Sequence, residues 1–382
     1  MPSKDTSHKD RVNKAIHFHK PDRTPRDFAA VPEIWEGLGR YFDTQDRKKI
    51  LEYLDVDCRI VYYDNFCKPP GEDEDKVDLT ASRERASLSG MWRKMEPDGS
   101  NRDIWGAHRK RVKTPFGYLD EFASFPLESA GNINDLKNYN WPEPDWWDFT
   151  NLREYISDLN EKAVYNIRYR VGSFFETAWS LYNFEKFQLD LVMNPELPLY
   201  VMERIAGVHY ENLRNVLAEA DDLIDIVYFY DDIASQDNLL ISPDMYEQFI
   251  QPFHQKLIDI AGEYGKPVMM HCCGAVYPLI PRLIDMGLRI LNPIQPKARN
   301  MNPEKLNEEF GGQIAFHGGI DVQQFMQQAS PQQVREKVEY VSNLLGSNGG
   351  YILSGSHHLQ ADIPIENVLA MYGLNEAVRE KN

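Results

Sequence analysis

Several features that would settle the class of this chain at once are missing. Only four of its 382 residues are cysteine, too few for a disulfide scaffold at this length, and the adjacent pair Cys272 and Cys273 is poorly placed to bridge in ordinary strand geometry. No apolar run approaches the roughly 20 residues that a membrane-spanning helix needs. The first residues, MPSKDTSHKDRVNKAIHFHK, carry charge throughout and contain no apolar stretch of signal-peptide length, so a reducing cytoplasm is the expected location. Neither a Walker loop nor a G-x-G-x-x-G after a strand occurs, and no nucleotide cofactor is expected. Basic patches are absent too. With 59 acidic against 42 basic residues the formal charge is −17, which repels phosphate backbones and anionic lipid. Nucleic acid and membranes are therefore not expected partners, and a small-molecule substrate is. Nothing in the sequence requires or forbids a homodimer.

What is present is a rhythm. In the second half, short apolar or β-branched runs end in polar residues and are followed by helical stretches: LIDIVYFYDD (223–232), KPVMMHCCG (266–274), LRILNPIQP (288–296), GQIAFHGGID (312–321) and GGYILSGSHH (349–358). Alternation of this kind argues for βαβ units and a parallel sheet. Ser242-Pro243 and Ser330-Pro331 read as N-cap and first-turn pairs of intervening helices, with Pro252 expected to kink the first and Gly346 to close the second. The first half offers TPRDFAA (24–30), VDCRIVYY (56–63) and AVYNIRYRVG (163–172). Together these make the eight strands of a closed (β/α)₈ TIM barrel, an α/β fold read as one domain over residues 1–382. The charged, aromatic stretch 64–160 reads as an insertion forming a surface layer within that domain.

In parallel barrels, chemistry gathers where strands end and βα loops begin. Those ends carry Glu176, Asp231/Asp232, His271/Cys273, Asn292/Gln295, His317/Asp321 and Ser356/His357/His358. In M-H-C-C-G, residues two apart on a strand face the same side, so His271 and Cys273 project together and Cys272 points away. Imidazole and thiolate are good zinc donors, and an open catalytic site has three protein ligands. His357, on the last strand end, is the expected third ligand, with His358 as substitute. Buried cysteine is also commonly a small core hydrophobe, which is the competing reading of Cys273. Of Asp231 and Asp232 only one faces the axis, Asp232 by preference, as acid or base, while the other caps a loop. Glu176 reads as a further ligand or a base. His317, running into Gly318 and Gly319, is either a catalytic contact or a satisfied structural histidine. Gln236, Gln295, Asp321 and Trp179 are the expected substrate contacts.

The chain also resembles a known superfamily in RVNKAIHFHKPDRTPRD (11–27), NYNWPEPD (138–145), GSFFETAW (172–179), YDDIASQDNLLISPDMYEQF (230–249), HCCGAV (271–276), LNPIQP (291–296), FHGGID (316–321) and SHHLQADIPIENVLAMY (356–372). These segments are similar to the uroporphyrinogen decarboxylase superfamily, which includes the decarboxylase, corrinoid-linked methyltransferases and aryl-ether O-demethylases. The resemblance implies a (β/α)₈ barrel with its site at the C-terminal strand ends. The arginine-rich R-Q-A-G-R segment of authentic uroporphyrinogen decarboxylases is missing; FAAVPEIWEGLGRYF (28–42) stands there, with Arg40 its only arginine. The methyltransferase branch has H-x-C-G, matched by His271, Cys273 and Gly274, where the resemblance implies zinc ligands. The branch's later cysteine, in a G-C-G context, falls opposite His357, ahead of Asp362 and Pro364. Histidine there removes a negative charge and strengthens the metal as a Lewis acid, which suits polarising an ether or carbonyl oxygen. Glu176, in F-E-x-A-W, resembles a residue at the same strand end in demethylase-like members.

The resulting expectation is a zinc-dependent methyltransferase or O-demethylase. A corrinoid on a partner protein would exchange the methyl group, since the chain has no D-x-H-x-x-G cobalamin motif of its own. A metal-free decarboxylase acting on a carboxylated pyrrole or small acid, using Asp232 and His317, is the second expectation. A barrel that binds a small molecule without turnover is the third.

Overall fold

The computed structural model describes residues 6–70, 93–114, 117–162 and 164–374. Its strands are β1 (Cys58–Tyr62), β2 (Arg93–Met95), β3 (Asn101–Asp103), β4 (His108–Thr114), β5 (Gly117–Ser124), β6 (Asn166–Arg170), β7 (Ile226–Tyr230), β8 (Val268–His271), β9 (Ile290–Ile294), β10 (Ala315–Ile320) and β11 (Tyr351–Gly355). Seven of them form one parallel sheet in the order β1-β6-β7-β8-β9-β10-β11. Each lies inside a run that the sequence marks as a strand.

Period-two alternation explains how these strands share their side chains between two cores. On one face, Val227, Phe229, Met270, Leu291, Phe316 and Leu353 enter the large core beneath the helices. On the other, Cys58, Ile226, Met269, Ile290, Ala315 and Ile352 form a separate apolar cluster, closed from below by Val12 and Ile16 of the helix His8–Ile16. That second cluster draws on β1 and β11, the opposite ends of the strand order, so the sheet must curl until its edges approach.

The eighth expected strand, 24–30, does not form as one. It makes isolated parallel bridges to β11 at Arg26↔Leu353 and just beyond it at Ala30↔Leu359. Backbone bonds run from Asp27 N to Leu353 O (2.9 Å), Leu353 N to Pro25 O (2.8 Å) and Asp57 N to Arg26 O (2.9 Å). A continuous ladder fails because Pro25 has no N–H, the Arg26 amide donates to the Asp57 carboxylate at 2.7 Å, and the Phe28 amide to Asp27 Oδ1 at 2.9 Å. The sheet is therefore a curled, seven-stranded one whose gap is spanned by irregular backbone.

The helix Pro331–Gly346 starts where expected, its Ser330 cap accepting from Gln333 N in a capping box, with Val334, Val341 and Leu345 buried. The stretch after Ser242 is not one kinked helix but a turn Pro243–Met245, a π-helical turn Tyr246–Ile250 and the helix Gln251–Glu263. Pro252, lacking an N–H, accounts for the interruption. Within 64–160 the structure has a four-stranded antiparallel sheet, β2-β3-β4-β5, which the sequence reading did not anticipate. Residues 71–92 and 115–116 of that stretch lie outside the described residues. No helix among the described residues is long and apolar enough to cross a membrane.

Candidate metal centre

The polar ends of the curled sheet meet above the apolar floor. One pleat above Met269 comes His271, and Cys273 follows on the same side. Cys272 is fully buried in the outer core while Cys273 is partly open, as the alternation predicts. His357 arrives from the turn after β11. The donor atoms of His271, Cys273 and His357 all lie within 4.8 Å of one another, and Cys273 Sγ is 3.2 Å from His271 Nε2. Donors on a tetrahedral zinc with bonds of about 2.0–2.3 Å sit roughly 3.3–3.8 Å apart, so the trio fits an ion after small side-chain adjustments. His358 adjoins the trio, its ring centroid 5.1 Å from that of His357. Gly274 makes the turn after His271 and Cys273, at φ +91°; a Cβ there would lie 2.3 Å from the Ser235 carbonyl oxygen.

The chemical state of the trio also suits a cation. Burial, helped by His357 and Arg170, pulls His271 down to about 3, so it is neutral imidazole with a lone pair to give. Burial likewise lowers His357. The Cys273 thiol is pushed well above its usual range, by burial first and then by Asp232; a cation is what would hold it as thiolate.

A buried hydrogen-bonded chain orients His271. His271 Nδ1 lies 2.6 Å from Asn292 Oδ1. Asn292 Nδ2 is 2.5 Å from His317 Nδ1, and His317 Nε2 is 2.7 Å from Asp27 Oδ2. Asp27 in turn pairs with Arg168 at 2.6 Å. An amide oxygen only accepts, so His271 carries its proton on Nδ1 and its Nε2 lone pair faces Cys273.

The two aspartates after β7 divide as expected, although Asp231 caps a different element. Its carboxylate accepts from the amides of Phe174 (3.2 Å), Phe175 (3.0 Å) and Glu176 (2.8 Å), at the start of the helix Phe175–Tyr182, and from His254 Nε2 at 2.9 Å. Asp232 turns to the site, accepting from Cys273 N at 2.7 Å and lying 3.8 Å from His271 Nε2. Burial, with Asp231 adding to it, raises Asp232 to about 6. Glu176 is raised to about 8 by burial and then by Asp232 and Asp231, so it holds a proton at neutral pH.

Glu176, Asp232, His271, His317, His357 and His358 line one cavity of about 210 Å³. Of the expected site residues, the structure gathers Asp232, Glu176, His271, Cys273, His317 and His357. The expected substrate contacts stand elsewhere. Gln295 Oε1 accepts from Gly274 N (2.9 Å) and Gln236 Nε2 (2.6 Å), and its Nε2 reaches Ser356 O (3.3 Å), so this pair ties three loops together beside the trio. Asp321 accepts from the amides of Gln323 (2.8 Å) and Phe325 (3.2 Å), fixing the turn after β10. Trp179 packs edge-on against Phe122 of β5 and against Phe184. Gln295 and Asp321 follow strand ends and bond turn amides, Gln236 bonds Gln295, and Trp179, within the helix Phe175–Tyr182, packs on neighbouring rings.

Arg168, Arg170, Asp27, Tyr62 and Tyr228 line the cavity too, and the sequence reading passed over them as site residues. A signal existed: N-I-R-Y-R places two cations on one face of a strand buried on both sides, which an inert core would not tolerate.

The family model described as uroporphyrinogen decarboxylase (URO-D) matches residues 128–380. No curated protein matches the chain in sequence. Among solved structures, a methyltransferase from Methanosarcina mazei is similar in fold, with a TM-score of 0.63 at 16% identity, covering 97% of this chain and 98% of that one. Xylanase 10B from Thermotoga maritima, at a TM-score of 0.35 and 11% identity over 63% of this chain and 85% of its own, is too distant to carry an argument. With the family model covering well over half its length, the chain belongs to the uroporphyrinogen decarboxylase family.

Proposed function

We propose that the protein is a zinc-dependent methyltransferase or O-demethylase on a variant (β/α)₈ barrel, residues 25–31 taking the place of the eighth strand. The observation that carries this reading is the convergence of His271, Cys273 and His357 within 4.8 Å, beside two protonatable carboxyl groups in one cavity. The three side chains would hold the ion. When bound, zinc supplies Lewis acidity at the oxygen or sulfur that bears the methyl group. Asn292 keeps His271 in its ligating tautomer. Glu176, neutral at pH 7, is suited to give a proton to a leaving alkoxide or thiolate, and Asp232 to take one up. A corrinoid protein docking at the mouth would take or deliver the methyl group, as the resemblance implies.

The cavity favours this over tetrapyrrole decarboxylation. About 210 Å³ lies below the range of about 300–1,000 Å³ typical for drug-sized ligands, and a porphyrinogen is larger still. The test is metal analysis of the native protein together with turnover of His271→Ala. Stoichiometric zinc in the wild type, with loss of both metal and methyl transfer in the variant, is the expected result. Metal-free protein, with full turnover in the variant, would overturn the reading.

A further inference from the structure

Two adjacent aspartates hold the two halves of the cavity wall. Asp232 takes the amide of Cys273 at 2.7 Å, and Asp231 takes those of Phe174, Phe175 and Glu176. The helix Phe175–Tyr182 begins after Phe174, whose side chain cannot cap it, so the amides at its start are satisfied by a carboxylate 55 positions away from Glu176. Glu176 sits in that first turn and lines the cavity. Asp231 is itself braced from the helix layer. Its Oδ2 lies 2.9 Å from His254 Nε2, and His254 Nδ1 lies 3.1 Å from Tyr246 Oη; all three side chains are fully buried. Both carboxylate oxygens already accept amide protons, so Nε2 is a donor to them.

Tyr246 and His254 are eight positions apart, which in an unbroken α-helix means about 12 Å of rise and about 80° of rotation. Here the π-helical turn Tyr246–Ile250 intervenes, and their ring centroids come to 5.7 Å. Such turns are rare and recur at functional sites. An apolar junction in place of this buried polar chain would be about as stable, so what the chain adds is a fixed orientation. We infer that Tyr246 and His254 are positioning residues for Glu176: they fix the Asp231 carboxylate, through it the start of the helix Phe175–Tyr182, and so the place of the Glu176 carboxyl relative to Cys273. What Glu176 does there rests on the proton-donor reading above; where it sits does not.

Infrared spectroscopy of the full chain with carbon-13-labelled glutamate tests this without turnover. Subtracting the matching Glu176→Gln protein from each variant isolates the Glu176 carboxyl, whichever its charge. Tyr246→Phe removes one oxygen and His254→Leu both ring nitrogens, and each is expected to shift or broaden that band. His254→Gln, whose amide can still donate to Asp231, should keep it closer to wild type. Val341→Ala, a buried core change on the helix Pro331–Gly346, costs stability but should leave the band in place. In turnover, Tyr246→Phe and His254→Leu should each lower the maximal rate by about three- to tenfold with KM unchanged, and lower it no further in the Glu176→Gln background. A band unmoved in both variants, or moved as far by Val341→Ala, would overturn the inference, as would equal rate losses in the two backgrounds. Should His254→Leu not fold, Tyr246→Phe decides. Glu176→Gln that turns over like wild type sinks the proton-donor reading alone, because the band is read without turnover; an unmoved band beside a slow Glu176→Gln sinks this inference alone.

Discussion

The Asn292 carboxamide accepts from His271 Nδ1 at 2.6 Å, and the direction of that bond is decided two residues away in the chain of contacts, at Asp27. The Asp27 carboxylate, held well below the usual range by Arg168 and His317 against the opposing effect of burial, only accepts. His317, kept neutral by burial, must then donate through Nε2 and accept at Nδ1. Asn292 therefore presents its NH₂ to His317 and its oxygen to His271. The tautomer of His271, a candidate ligand on β8, is thus set from residue 27, in the irregular segment that bridges the edges of the sheet. Asn292→Leu keeps the volume and removes the orientation, so zinc affinity should fall by about 10–100-fold in competition with a chromophoric chelator. Unchanged affinity would reduce the chain of contacts to packing.

The neighbouring cysteines should behave oppositely. Cys273→Ser removes a soft donor from the trio, and the variant should lose stoichiometric metal and, in the cobalt-loaded form, the sulfur-to-metal charge-transfer band. Cys272→Ser should keep both. Its side chain is fully buried, with Sγ 3.6 Å from the Cys273 carbonyl oxygen, so its cost appears as stability, up to about 1–3 kcal/mol for a buried hydroxyl, read in a denaturant melt. Equal metal contents in the two variants would show that the trio is not a metal site.

Much of this was legible from residue order. The runs around β7 to β11 are short, apolar and followed by His, Asp, Gln or Ser, and a strand register with period two is enough to place His271 and Cys273 together and Cys272 apart. The antiparallel sheet β2 to β5 was hidden because its segments, such as HRKRVKT, are charged on both faces and mostly half-exposed. The failure of the eighth strand depends on Asp57 and Asp27 taking amides that the ladder needed, contacts that span up to 31 positions in sequence. Gln295 and Asp321 carry the right chemistry for binding substrate, yet at a strand end the first unsatisfied donors are the amides of the turn itself, and those claimed both side chains.

Asp231 offers a stability test separate from the metal. Its carboxylate is buried and satisfies three amides and His254 at once. Asp231→Ala would leave those donors without an acceptor, and the loss should be about 3–5 kcal/mol, the scale for removing one partner of a buried charged network. Because the same amides open the helix carrying Glu176, activity should fall further than the fraction folded explains. A melting point equal to wild type would show that water substitutes for the carboxylate.

Glu176 makes the sharpest pH prediction. In the unfolded chain its proton leaves near the ordinary glutamate value of 4.5, whereas burial and the adjacent aspartates hold it to about 8 in the folded protein. Between those values the native state keeps a proton that the unfolded state has lost, so this group makes stability fall as pH rises through the window, and its cost is complete above about pH 8. Glu176→Gln has no proton to lose. The variant should match wild type in thermal midpoint near pH 4, and exceed it increasingly up to about pH 9. Turnover should move the other way. If Glu176 gives the proton to the leaving group, the wild-type rate declines above about pH 8 as that proton is lost, and Glu176→Gln is slower by about 100-fold or more with no such limb. A wild-type rate that stays level from about pH 7 to 9 would remove Glu176 from the proton transfer and leave Asp232, whose carboxyl titrates near 6, as the remaining candidate.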